Sequence, residues 1–257
     1  MILEGKNVLI MGIRNKWSIA WGAALSAYKA GAKNIIFTYN SESSGEKSKQ
    51  LLEEIPNASL YQCDVSSDED IRETFQAIKE KFGKIDCILH SIAHANTEDL
   101  RNDFIKTSRE GFLHACEISA YSFVAVTRIA DEIDLLSDNA SLVALSYYGS
   151  VKVLNGYNVM GIAKAALESS VRYLSSELGN KNIRVNAVSA GPIKTLSAKG
   201  IKDFNLILDI VEKKAPLKRN VTKEEVGDVV TFLFSDMSRC ITGQIIYADN
   251  GYEIMGI

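Results

Sequence analysis

The chain has 257 residues, 46% hydrophobic and 24% charged, enough to bury a large core without disulfides, and its net charge of −3 argues against a nucleic-acid surface. Cys63, Cys87, Cys116 and Cys240 form no Cys-x-x-Cys pair and three histidines complete no ligand pattern, so no metal is expected and the thiols beside apolar runs read as buried and free. The start, Met1-Ile2-Leu3-Glu4-Gly5-Lys6, has no signal-peptide core and no apolar run reaches membrane-spanning length, so the expected setting is cytoplasmic, with no membrane partner.

Short apolar runs alternate with amphipathic stretches along the chain. Val8–Met11 predicts a first buried strand, followed by a helix over Ser18–Ala30. Strands are then expected at Asn34–Tyr39, Ser59–Cys63, Asp86–His90, Ser141–Leu145, Ile183–Val188 and Gln244–Ala248, with helices over Glu46–Glu54 and Asp68–Phe82 among the connections. Strand–helix alternation with buried strands predicts an α/β fold: a doubly wound, Rossmann-like parallel sheet of seven strands with helices on both faces. No linker, repeat or low-complexity stretch divides the chain, and none of the three prolines marks a boundary, so residues 1–257 read as one domain.

The first strand runs into Gly12-Ile13-Arg14-Asn15-Lys16-Trp17-Ser18-Ile19-Ala20, which lacks the Gly-x-Gly-x-x-Gly spacing. Gly12 still permits a tight turn, and Ser18 can cap a helix whose open N–H groups suit a pyrophosphate; an ordinary capped strand–turn–helix fits equally. The second strand ends Tyr39-Asn40-Ser41-Glu42, with no Arg or Lys before Lys47 to take a ribose 2′-phosphate, so NADH is expected over NADPH. Asp64 and Val65 end the third strand, suited either to an adenine or to a helix start, and the small residues of Ser91-Ile92-Ala93 let backbone approach a ribose.

Ser146-Tyr147-Tyr148-Gly149 closes the fifth strand, and Tyr157-x6-Lys164 follows. Seven residues are nearly two helical turns, so both side chains share a face, and the lysine stem leans toward the tyrosine. A nearby ammonium would favour the phenolate and strengthen the phenol as an acid. The small residues Gly161, Ala163, Ala165 and Ala166 around Lys164 suit close helix packing.

At these residues the chain resembles the enoyl-acyl-carrier-protein reductases, a branch of the short-chain dehydrogenase/reductase superfamily. The matching segments are Gly12-x5-Ser18-Ile19-Ala20, Cys63-Asp64-Val65, His90-Ser91-Ile92-Ala93, Ser146-Tyr147-Tyr148-Gly149, Tyr157-Asn158-Val159-Met160-Gly161 and Ser189-Ala190-Gly191-Pro192-Ile193, in family order from about Gly5 to Gly251. The wider superfamily carries Tyr-x3-Lys and a serine thirteen residues before the tyrosine; here the gap is six and position 144 is alanine, which argues against a ketone reductase. Tyr147 matches the second tyrosine of the enoyl reductases. Ala93 stands where a glycine is frequent, and Ala95-Asn96 lacks a common proline.

The resemblance implies reduction of a trans-2-enoyl thioester on acyl carrier protein by NADH, in a homotetramer. It implies Tyr157 as donor to the enolate oxygen, Lys164 as ribose clamp and Tyr147 as a substrate-positioning residue. Gly12, Ser18, Ile19, Asp64, Val65, Ser91, Ile92, Ala93, Lys164, Ile193 and Thr195 would meet the cofactor. Ala95, Tyr147, Tyr157, Leu196 and Phe204 would meet the acyl chain, with the segment from about 194 to 215 covering the site; by periodicity alone that segment is an ordinary core helix. Lys194, Lys199, Lys202, Lys218 and Arg219 offer a basic rim for an acidic carrier, or simply a solvated face, and Ile254–Ile257 suits a subunit interface. The competing readings are a ketone or alcohol dehydrogenase of the same superfamily and a non-catalytic nicotinamide-binding regulator.

Overall fold

A computed structural model of the chain describes residues 1–195 and 204–256. Strands β1 (Asn7–Met11), β2 (Asn34–Tyr39), β3 (Ala58–Gln62), β4 (Ile85–His90), β5 (Leu136–Tyr147), β6 (Arg184–Ala190) and β7 (Ile245–Ala248) form one sheet in the order β3-β2-β1-β4-β5-β6-β7. Every adjacent pair is parallel. All seven expected strands are present. β5 starts earlier than its apolar run, at Leu136, because Leu136 pairs with Ile85 ahead of a register shift.

The helices are α1 (Ile19–Lys29), α2 (Glu42–Lys49), α3 (Asp68–Phe82), α4 (Thr97–Arg101), α5 (Arg109–Cys116), α6 (Ser122–Glu132), α7 (Asn158–Leu178), α8 (Phe204–Lys214) and α9 (Lys223–Phe234). Successive strand residues point to opposite faces. Val8 and Ile10 therefore join a core with α1 and α9, while Leu9 and Met11 join another with α3, α6 and α7. Both faces are covered, which explains why the strands read as unbroken apolar runs. α2 begins four residues before the expected Glu46 and passes into a 3₁₀ turn at Gln50–Glu54.

Gly22, one turn into α1, is not spent on the nucleotide turn. A Cβ there would lie 2.1 Å from the Lys223 carbonyl oxygen, and one on Gly227 would lie 2.5 Å from the Gly22 carbonyl oxygen. The pair lets the α1 and α9 backbones touch. Of the four free cysteines, Cys63 and Cys87 are buried as expected, whereas Cys116 is half-buried and Cys240 exposed. Among the described residues no helix is long and apolar enough to cross a membrane, and no group of three or more His, Cys, Asp or Glu could hold a metal.

Gly22→Ala should force the two helices apart and lower unfolding free energy by about 3 kcal/mol, the upper end of ordinary overpacking costs, as read by denaturant titration.

Candidate active site

Parallel strands bring every carboxyl end to one edge. β1 has β2 on one side and β4 on the other, so connections leave it in both directions and open a crevice at that edge. Gly12 ends β1 with φ +87°, and a Cβ on it would meet the Ser91 carbonyl oxygen at 2.5 Å and Ile92 Cγ1 at 2.8 Å. The close approach and the left-handed backbone both demand glycine. Ser18 caps α1: its Oγ accepts from the Trp21 N–H at 3.2 Å and donates to the Asn15 carbonyl at 2.8 Å. The N–H groups of Ile19 and Ala20 have no hydrogen-bond partner among the described residues and form the open, positive end of the helix.

At the end of β3 the two readings of Asp64 separate. Ser67, not Asp64, caps α3 by accepting from Asp70 N–H. Asp64 Oδ1 instead accepts from the Ser66 N–H and hydroxyl, and Val65 is buried. Glu42 opens α2 as an exposed side chain, and Gly45 packs under the Tyr39 ring.

The loop after β4 is held from behind. α5 and α6 are joined by a π-helical turn, Glu117–Tyr121, which carries Ser119. Its hydroxyl accepts from His94 N–H at 3.0 Å and lies 3.0 Å from the His94 carbonyl. Just beyond, Ser122 Oγ donates to the Ile118 carbonyl and lies 2.8 Å from His90 Nε2, so that nitrogen carries the proton. His90 is buried, its Nδ1 is unpaired, and burial, followed by the Lys164 charge, pushes its pKa down to about 3. It is neutral at physiological pH. In the sequence this residue stands only as the first of the segment His90–Ala93, with no role of its own, because a lone histidine at a strand end carries no spacing signal.

α7 supplies the centre. Tyr157 caps its N-terminus, buried in a cluster with Leu100, Ala115, Val159 and Met160, against which Ala95, Tyr147 and Leu154 pack. The Tyr147 and Tyr157 rings meet edge-on at 4.9 Å. Gly149 makes room for the Tyr157 ring, since a Cβ would fall 2.4 Å from Tyr157 Cδ1. Asn158 adopts φ +36°, and its amide donates to the carbonyls of Leu100 at 3.1 Å and Asn102 at 2.5 Å. Strain directly beside Tyr157 is thus held in place by contacts to the α4 loop.

Lys164 is 5% exposed and donates to the Leu145 carbonyl at 2.7 Å. Burial pulls its pKa down to about 8, against which the Glu168 carboxylate pushes it up. Its two other N–H bonds have no hydrogen-bond partner among the described residues. The expected acidification of Tyr157 is not what the structure displays. Burial dominates and raises the Tyr157 pKa, with Tyr147 and Glu168 adding to the rise. Tyr147 is raised as well, chiefly by burial. Tyr157 is therefore a neutral O–H donor rather than a phenolate, and its hydroxyl has no partner among the described residues.

The structure brings Gly12, Ser91, Ile92, Ala93, Ala95, Tyr147, Tyr157 and Lys164 to the sheet edge, with Ile193 and Thr195 half-buried just beyond β6. Phe204 begins α8, half-buried, with Leu208 and Val211 buried behind it and Leu206 exposed. Leu196, Lys199, Ile201 and Lys202 lie outside the described residues. Four residues that sequence reasoning missed belong to the same construction: His90, Gly149, Asn158 and Glu168. His90, Gly149 and Asn158 stand inside the matching segments without a role of their own, and Glu168 left a trace as a lone acid four residues after Lys164 in an otherwise small and apolar stretch.

The donor set suits a dinucleotide. Lys164 keeps two uncommitted ammonium N–H groups, suited to ribose hydroxyls, and α1 begins with an open N-terminus after β1, suited to an anion. The family model for enoyl-(acyl carrier protein) reductase matches residues 12–253. The chain is 48% identical to the NADH enoyl-[acyl-carrier-protein] reductase of Bacillus cereus, each covered to 99%, and 50% identical to a Staphylococcus aureus enzyme named for NADPH, each covered to 98%. A Bacillus cereus enoyl-acyl carrier protein reductase, solved with NADP+ and an indole naphthyridinone, superposes with a TM-score of 0.96 at 47% identity, over 100% of this chain and 99% of that one. The crevice, the paired tyrosines and the buried lysine thus sit in a chain that belongs to the enoyl-acyl-carrier-protein reductase family.

Proposed function

We propose that this chain reduces the carbon–carbon double bond of trans-2-enoyl thioesters on acyl carrier protein, with NADH, in fatty acid elongation. The observation that carries the reading is a neutral phenol, Tyr157, with an open O–H on the same helix face as the buried Lys164 ammonium, and no second hydroxyl where carbonyl reduction needs one. Position 144 is a fully buried alanine inside the sheet, and the nearby Ser146 hydroxyl is committed to Glu168.

When bound, NADH would supply a hydride to the substrate β-carbon, and a proton drawn from solvent would complete the saturation at the α-carbon. Tyr157 O–H donates to the thioester oxygen, where negative charge then gathers, and a raised pKa keeps that proton in place as a preorganised donor. Lys164 holds ribose hydroxyls with its two uncommitted N–H groups. Tyr147 sets the Tyr157 ring and, with Ala95 and Phe204, lines the acyl side. Gly12, Ser18 and Ile19 offer backbone and helix-end contacts to the pyrophosphate, which Thr195 also reaches, with Asp64 and Val65 toward the adenine, Ser91 to Ala93 toward a cofactor ribose, and the Ile193 backbone toward the nicotinamide carboxamide. NADH is favoured because Tyr39–Glu46 contains no Arg or Lys, although relatives are named for either cofactor.

Carrier binding is supported by a basic rim smaller than expected at one point and larger at another. Arg219 is neutralised by Glu225 through two hydrogen bonds, whereas Lys194, Lys213, Lys214 and Lys218 are exposed. A homotetramer is supported by outward apolar side chains, Leu113 and Tyr173 on α5 and α7 and Ile254 near the C-terminus. A single-domain, cytoplasmic enzyme fits these features.

With NADH, crotonyl thioester should be reduced and acetoacetyl thioester left untouched; the reverse, or equal kcat/KM with NADPH, contradicts the assignment. Tyr157→Phe should lower kcat by about 10²–10³ with little change in NADH affinity, while Lys164→Ala should weaken NADH binding severely. NADH affinity should be flat below pH 8 and weaken above it, approaching tenfold per pH unit, because the folded-state pKa is lowered to about 8 and the ammonium is lost as pH rises through that value. Fluorescence titration across pH 6.5–9.5 measures this; an affinity independent of pH contradicts it.

A further inference from the structure

Glu168 is the second buried charge of α7, 5% exposed, one turn beyond Lys164. Burying a carboxylate is costly unless hydrogen bonds and an opposite charge compensate. Both are present. Glu168 Oε1 accepts from the Ser146 hydroxyl at 2.5 Å and from the Ser150 hydroxyl at 2.6 Å. It makes no direct ion pair with Lys164, whose ammonium is turned to the Leu145 carbonyl. Tyr157, Lys164 and Glu168 lie at i, i+7 and i+11, so they share one face of α7. That face grips three successive residues at the end of β5. Lys164 takes the Leu145 carbonyl, Glu168 the Ser146 hydroxyl and Tyr157 the Tyr147 ring.

We propose that Glu168 is a positioning residue for the reaction, bracing the end of β5 through Ser146 and Ser150 and holding a fixed negative charge beside the Lys164 ammonium. The groups facing this pair support the assignment. Lys164 is faced by Glu168 from its own helix, by neutral His90 from β4 and by the Leu145 carbonyl from β5. Glu168 is faced by Ser146 and Ser150, by Tyr157 at the start of α7 and by Tyr247 on β7, none of them cationic. Glu168 is the carboxylate that opposes the loss of charge that burial favours at Lys164.

The inference rests on Lys164 as cofactor clamp, so its test reads NADH binding without substrate. NADH affinity is titrated by fluorescence from pH 6.5 to 9.5 for the unsubstituted chain, Glu168→Gln and Glu168→Asp, with kcat on crotonyl thioester in parallel. Glu168→Gln removes the charge, and the pH at which affinity is lost should fall by about one unit. Glu168→Asp keeps the charge but shortens its reach to the serines, so that pH should hold while kcat falls about tenfold. An alkaline limb unmoved in Glu168→Gln, or moved in Glu168→Asp, overturns the charge role, and an unchanged kcat in Glu168→Asp overturns the brace. Should Glu168→Gln not fold, Glu168→Met, a neutral side chain of similar length, reads the charge role in its place, and the aspartate variant still decides the brace. NADH binding with these shifts but no enoyl reduction would sink the proposed activity and leave this inference standing, whereas no NADH binding by the unsubstituted chain would sink both.

Discussion

The end of β5 is held by α7, and the site depends on that grip. A strand end is free to fray, because its last residues have lost the neighbours that complete the sheet. Here β5 extends to Tyr147, and side chains from a helix crossing behind it fix its last residues. The helix in turn is fixed by a wide apolar core on its other turns, including Leu167, Val171 and Leu174. The reactive groups inherit their precision from this core, which is why a phenol and an ammonium with long, rotatable stems keep one arrangement.

Burial then decides what those groups can do. An exposed tyrosine beside a lysine would be a stronger acid; a buried one holds its proton and offers it as a hydrogen bond. The lysine is displaced in the opposite sense, toward losing its charge, and a second buried charge opposes the loss. Charge, hydroxyls and carbonyl at the end of β5 form one network, in which removing any member leaves a buried partner without compensation.

Much of this was legible in the sequence. Apolar runs marked all seven strands because both faces of the sheet are buried, and Tyr157, Lys164 and Tyr147 stood out by spacing. Less legible were residues whose work is steric. Gly22, a turn into its helix, carries no sign of the helix contact that it serves; Gly149 reads as a loop residue until the Tyr157 ring is placed against it. The direction of the Tyr157 shift was misread because spacing reveals proximity of charge but not depth of burial. Glu168 was passed over because an acid on a helix is usually solvated, and only the fold turns it inward. The helix Phe204–Lys214 is legible as an apolar pattern, whereas Leu196 of the expected substrate set lies outside the described residues.

The π-helical turn at Glu117–Tyr121 has a consequence of phase. One additional residue in a turn rotates everything after it by about 100° around the helix axis. Ser119 lies within the turn and reaches the His94 backbone, and Ser122 opens α6 beyond it and reaches His90 Nε2. The chain length between residues 117 and 121 therefore matters more than the identity of any one side chain there. A substitution in the turn changes one contact, whereas loss of a single residue would restore a regular helix and swing both serines away from the cofactor edge together.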